Sequence, residues 1–364
     1  MRRPLIALAA LALFALALAI GVRGPEFGEE DAPAAEAGPP AKKWTESPLE
    51  RAFVPAEQGG EADAPHLLAG VSGGCGGSDG GPVKSLRSLL RRQGPDGGWG
   101  ELPEEFEGQL YTRNGATALA LLSFLGAGYT PLSREESDGM PIGAGMKRGL
   151  DWLVAHPPAN ALDAALTALA LSETAGLMGG EARVQSALEA LVRLDAFQRS
   201  DGCWGDPFTD FCGALALVSA RAGSIPASPA MFDRASAGLH DRLASAPDLP
   251  SVTAAMFLDR NRDPEGFAMV EADLLAALPD PEHPEFSRDW MAALLLFRRD
   301  GPAGESWKTW NLPLKDALIP TQNRDGTWPG EHGPTASVVR DALAVLVLEV
   351  YYSYENVPGV REKE

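Results

Sequence analysis

From about residue 83 onward, apolar residues fall at i, i+3, i+4 and i+7, the spacing that places them on one face of an α-helix. Ala118, Leu121, Leu122 and Leu125 form the first such set, and Leu162, Ala165, Leu166 and Leu169 the second. Phe211, Ala214, Leu215 and Val218 follow, then a weaker Ala254, Phe257 and Leu258, then Trp290, Ala293, Leu294 and Phe297, and finally Val339, Ala342, Leu343 and Leu346. The sets begin 36 to 49 residues apart, a period that fits a two-helix repeat. Between them lie more polar amphipathic segments, around 83–93, 145–155, 181–198, 228–244, 266–278 and 313–322. The pattern therefore predicts twelve helices in six hairpins and little β structure. Small residues dominate the first series, as in Gly115-Ala-Thr-Ala-Leu-Ala-Leu-Leu122, so those helices can pack closely inside while the charged ones face water. An all-α fold closing into a double ring follows as the expectation.

The N-terminal part obeys another rule. Arg2 and Arg3 precede Pro4–Val22, which carries no charge and is long enough to span a bilayer. Residues 1–24 read as a signal anchor or a cleaved signal peptide, and either exports the remainder. Residues 25–81 are rich in Pro, Ala, Gly and Glu, with eleven acids between Glu26 and Asp79, a composition that reads as a disordered acidic tether. The repeat domain is placed at 82–356 and a tail at 357–364.

A short phrase occurs three times where a polar helix ends: Gln93-Gly-Pro-Asp-Gly-Gly-Trp99, Gln198-Arg-Ser-Asp-Gly-Cys-Trp204 and Gln322-Asn-Arg-Asp-Gly-Thr-Trp328. Asp-Gly supplies a turn with glycine free to take positive φ. The Gln amide can bond helix-end groups, and the Trp can cover the next hairpin while its indole N–H finds a carbonyl. Gln-x-x-Asp-Gly-x-Trp before an Ala/Leu helix resembles the repeat of squalene and hopene cyclases and of protein prenyltransferase β subunits. That resemblance covers roughly Pro82 to Tyr354 and implies an α/α toroid; Leu346-Val-Leu-Glu-Val-Tyr-Tyr352 is similar to the ending of exported bacterial members.

The chemistry is less legible. A net charge of −19 argues against nucleic acid and anionic surfaces as partners, leaving cationic or apolar ones, with membrane contact through the N-terminal segment. No Asp-x-Asp-Asp acid of the cyclases occurs, and aromatic residues are only 7%. The prenyltransferase resemblance implies zinc on an Asp-x-Cys pair and a His, here Asp210, Cys212 and His332, with Asp206 as a second carboxylate. The same residues also read as a helix cap, a packing thiol and a turn. Arg260 and Arg262 form a close basic pair, but Asp259 and Asp263 flank them, as in a solvated loop. The calcium-loop likeness of Asp259–Asp263 fails at Pro264 and Val270. Cys203 and Cys212 could pair, leaving Cys75 over.

Asn114, Asp163, Asp210, Thr253, Asp289 and Thr335 begin the apolar helices. They are expected as caps gathered at one mouth, where with Asp206 they would ring a ligand entrance. The expectation is thus an exported binding scaffold holding an apolar ligand or a peptide without a cofactor. The alternative is an isoprenoid or lipid enzyme using zinc.

Overall fold

Twelve helices and two short hairpins make up the described part of the computed structural model, which comprises residues 81–354 except 261, 262, 281 and 302. All of these residues belong to the unit Thr45–Glu364. The segment 1–24, the stretch 25–80 and the tail 357–364 lie outside the described residues. In chain order the elements are α1 (Gly81–Arg91), β1 (Glu104–Phe106), β2 (Gln109–Tyr111), α2 (Arg113–Gly126), β3 (Glu136–Ser137), β4 (Met140–Pro141), α3 (Ile142–Ala155), α4 (Ala161–Met178), α5 (Glu181–Phe197), α6 (Pro207–Ala222), α7 (Pro229–Ser245), α8 (Leu249–Leu258), α9 (Phe267–Ala276), α10 (Phe286–Asp300), α11 (Glu305–Thr321) and α12 (Pro334–Tyr354). The strands pair antiparallel, Glu105 opposite Leu110 and Ser137 opposite Met140.

The even-numbered helices are the Ala/Leu-rich series, and they are buried on all sides. In α6 every residue from Phe208 to Ala220 is buried. Such a helix must accept neighbours all round, which small side chains permit. At one such approach, a Cβ added to Gly223 would stand 3.1 Å from the Gly176 Cα. The odd-numbered helices bury one stripe, in α7 Met231, Ala235, Gly238, Leu239 and Leu243, and turn the rest to water. Packing among the even-numbered helices is sequential: α2 on α4, α4 on α6, α6 on α8, α8 on α10, α10 on α12, and α12 on α2. The odd-numbered helices lie against this series, α1 on α12, α5 on α4, α7 on α8 and α11 on α10. Among the described residues, α4 alone is long and apolar enough to cross a bilayer, and it is 78% buried inside the protein.

Among the odd-numbered helices, one departs clearly from its expected bounds. α11 begins at Glu305, not near 313, and runs through Pro313 and Pro320. A proline inside a helix costs about 3 kcal/mol through its lost N–H and ring clash. Here the buried stripe Trp307, Trp310, Leu314 and Leu318 spans both sides of Pro313 and offsets that cost.

Candidate functional site

Each Gln–Trp phrase builds the same joint. The Gln93 amide nitrogen donates to the Gly97 carbonyl in its own turn and to the Gly145 carbonyl at the start of α3, both at 2.8 Å. Gln198 donates likewise to Gly202 (2.9 Å) and to Met231 of α7 (3.2 Å). Gln322 donates to Gly326 (3.2 Å) and, across the whole domain, to the Gly81 carbonyl of α1 (2.8 Å). The three indole N–H groups donate to the carbonyls of Leu89, Leu194 and Leu318, at 2.7, 3.0 and 3.0 Å, in the last turns of α1, α5 and α11. Gly97, Gly202 and Gly326 have φ of 101°, 85° and 92°, and each presses on the backbone of the next odd-numbered helix, at Arg148, Arg234 and Lys84.

A second layer fixes the Trp backbone. The Trp204 N–H donates to Asp210 (2.6 Å), whose other oxygen pairs with Arg242 at 2.7 Å. The Trp328 N–H donates to Asp341 (3.1 Å), which also receives Arg92 (2.6 Å) and Arg340 (2.9 Å). In the first copy the Thr117 hydroxyl takes the Trp99 N–H at 2.9 Å. Burial pushes the Asp210 carboxyl up, against the Trp204 amide and the Arg242 charge, which pull it down.

The caps lie elsewhere than expected. Thr112, Asn160, Asp206, Asp248 and Glu285 are the N-cap residues of α2, α4, α6, α8 and α10. Of the residues singled out from sequence, Asp206 alone is an N-cap among these, accepting from the Phe208 and Thr209 amides at 3.0 and 3.2 Å. Asn114, Asp163, Asp210, Thr253, Asp289 and Thr335 all lie inside their helices and are buried. The Asn114 amide donates to the His156 carbonyl (2.5 Å), and Asp163 accepts from the Thr112 hydroxyl and the Asn160 amide, both at 2.7 Å. Thr253 donates back to Leu249 (2.7 Å). Apolar periodicity marks where a helix is buried, not where its first turn starts, so it places the boundaries a few residues late.

The β1–β2 hairpin joins several of these helix ends. At its turn, Glu107 (φ 48°) accepts from the Phe286 and Ser287 amides at 2.7 and 2.8 Å, completing the first turn of α10. Glu104 accepts from the Ala336 amide of α12 at 2.8 Å, and Gln109 donates to Asp206 of α6 at 3.1 Å. Just before the hairpin, the Leu102 carbonyl accepts from the Thr335 hydroxyl at 2.7 Å. Phe106 stacks on Phe286, with centroids 6.4 Å apart, and meets His332 edge-on at 5.3 Å.

Beside the hairpin a cleft of about 1130 Å³ opens between the first and third Gln–Trp loops. The arginines on its walls are paired within the protein. Arg113 binds both oxygens of Asp96, at 3.0 and 2.9 Å, and lies 4.8 Å over the Trp152 ring; these bonds hold the Asp96 carboxyl down at about 2. Arg92 and Arg340 share Asp341. Its exposed apolar surface comes from Pro95, Pro329, Pro334 and Leu102, the last 73% exposed, and Glu101, Asn323 and His332 stand exposed beside them.

The zinc set does not fit. Asp210 is engaged by two backbone amides and Arg242, burial pushes the Cys212 thiol well above its usual range, and His332 packs against Phe106. Among the described residues no three or more His, Cys, Asp or Glu side chains are grouped to hold a metal. Cys203 and Cys212 are both free and buried.

Thr117, Asp341, Arg92, Arg242, Glu104 and Glu107 carried no signal in the sequence. Asp210 stands in the first turn of its helix and Asp341 deeper in its own, so no fixed spacing from the Trp betrays them. No protein-family model matches the chain, and no curated protein matches it in sequence.

Proposed function

We propose that the six hairpins close into an α/α toroid and that the chain is an exported, non-catalytic binding scaffold. Its ligand is an apolar molecule or an extended peptide held in the cleft between the first and third Gln–Trp loops. The cleft carries this reading: at about 1130 Å³ it has room for such a ligand, its arginines are already paired, and Pro95, Pro329, Pro334 and Leu102 give it apolar surface. The toroid is supported by the succession of even-numbered neighbours that returns from α12 to α2, and by Gln322 tying the end of α11 to Gly81. The superfamily of squalene cyclases and prenyltransferase β subunits is the kinship this architecture favours, and its enzymatic branch lacks support from the engaged Asp210 and Cys212. The uncharged N-terminal segment would hold the scaffold to a membrane.

Native mass spectrometry of the full chain from its own host tests the reading. The wild type is expected to carry a bound mass, which Ser337→Trp, filling the cleft from a half-buried wall position, and Leu102→Asp both release while circular dichroism stays unchanged. A wild type without bound mass, or a mass that survives both substitutions, overturns it.

A further inference from the structure

Gly128, at φ 83°, turns the chain back after α2, and the Tyr129 N–H closes on the Phe124 carbonyl at 2.9 Å. This lays the Tyr129 ring against Phe124, with centroids 6.3 Å apart. A few residues on, β3 and β4 pair with Ser137 opposite Met140. Alternation along a strand puts neighbouring side chains on opposite faces, so Glu136 faces outward while Ser137 turns inward, 7% exposed. Tyr129 and Ser137 thereby reach one cavity of about 30 Å³, which lies between α1, the end of α2 and this hairpin.

Val83, Leu86, Leu90, Phe124 and Ile142 supply the apolar wall of that cavity. Tyr129 Oη and Ser137 Oγ are both buried with no hydrogen-bond partner among the described residues. Leaving a buried hydroxyl unpaired destabilises a fold, and two that line one cavity can be satisfied by a single molecule between them. The cavity limits the size of that molecule. A water needs roughly 10–15 Å³ and at least two polar partners, so about 30 Å³ admits water or a short-chain alcohol.

The wall also sets the chemistry. A wholly apolar cavity stays dry, whereas each of these hydroxyls can donate or accept. Burial pushes the Tyr129 phenol above its ordinary range, so that hydroxyl keeps its proton. Arg87 and Glu136, the charged residues on the wall, are opposite in sign, which favours a neutral molecule. We propose that this cavity is a binding site for a small neutral hydroxyl compound, water or a short-chain alcohol, which bridges Tyr129 and Ser137. So placed, the molecule joins the β3–β4 hairpin to the loop that ends α2. The cavity shares no lining residue with the cleft, so the two sites stand or fall separately.

A double-mutant cycle on the intact chain, read by urea titration, tests the site. If one molecule bridges the two hydroxyls, Tyr129→Phe and Ser137→Ala each remove one of its bonds and should each raise the unfolding equilibrium constant about fivefold. The second removal then finds no bridge to break, so the double variant should be about as stable as either single one. Ethanol titration separates the two sources: a saturable stabilisation of the wild type that the double variant lacks identifies an alcohol, and its absence identifies water. Single variants at least as stable as the wild type, or losses that multiply in the double variant, would overturn the site.

Discussion

Gln322→Ala asks whether the repeated phrase fastens one hairpin to the next. The Gln322 amide nitrogen donates to the Gly81 carbonyl (2.8 Å), the Ser85 hydroxyl (2.9 Å) and the Gly326 carbonyl (3.2 Å). Each such bond is worth about 1 kcal/mol net. Ser85 also donates directly to the Gly326 carbonyl, so that acceptor keeps a partner when the amide is gone. The loss then amounts to about 2 kcal/mol, or roughly a 30-fold change in a local opening equilibrium.

The change should be local. α1 packs chiefly on α12 and touches α2 weakly, so it can loosen without the rest of the domain following. Hydrogen exchange of peptide 82–92 is expected to speed up about 30-fold in Gln322→Ala, with the starts of α3 and α7 unchanged. Gln198→Ala should move the effect to α7, because Gln198 bonds Met231 there and receives Arg234 at 2.8 Å. Uniform acceleration across the domain, or an unchanged α1, would refute the fastener.

Other substitutions separate the terms inside the same joints. Gly202→Ala puts a Cβ onto the Arg234 carbonyl at φ 85°, whereas Gly128, at φ 83°, has open space around it. In urea titrations Gly202→Ala should cost about 3 kcal/mol or more and Gly128→Ala about 1, and equal losses would mean the close approach counts for nothing. Arg242→Met strands Asp210, 1% exposed, without its cation and should cost about 3 kcal/mol. Adding Asp210→Asn should recover most of that loss, since the amide oxygen still accepts from Trp204; a double variant as unstable as the single one would show that charge is not the issue.

The helices were legible because each face repeats its apolar spacing over several turns, so errors at single positions average out. α11 was cut short because Pro313 reads as a boundary locally, while the Trp307–Leu318 stripe that carries the helix past it depends on packing against α10. β1 and β2 were missed because Glu-Glu-Phe and Gln-Leu-Tyr are too short to show alternation, and their positions rest on helix ends distant in sequence. The same holds for Asp341, whose partner Arg92 stands 249 residues away. Sequence pattern reports local periodicity well. It reports long-range polar pairing only when the pair keeps a constant spacing, and here it does not.

The joints differ in how much chain follows them, and that difference is informative. After Trp204 the chain needs only 205–206 before α6 begins, so a fastener requires no more than that to hand over to the next helix. After Trp328 it uses 329–333, and after Trp99 it uses 100–112. The extra residues of the first and third joints are those that wall the cleft and form the hairpin. The first joint also drops the carboxylate, using Thr117 where the others use Asp210 and Asp341, and its loop carboxylate Asp96 is bound instead by Arg113 at the cleft wall. The second joint shows that handing over to the next helix needs neither insertion, and the first insertion adds Glu104 and Glu107, which accept from the first turns of α12 and α10. The repeat thus departs from itself at the cleft and the hairpin, and it is at the cleft that the proposed ligand would bind.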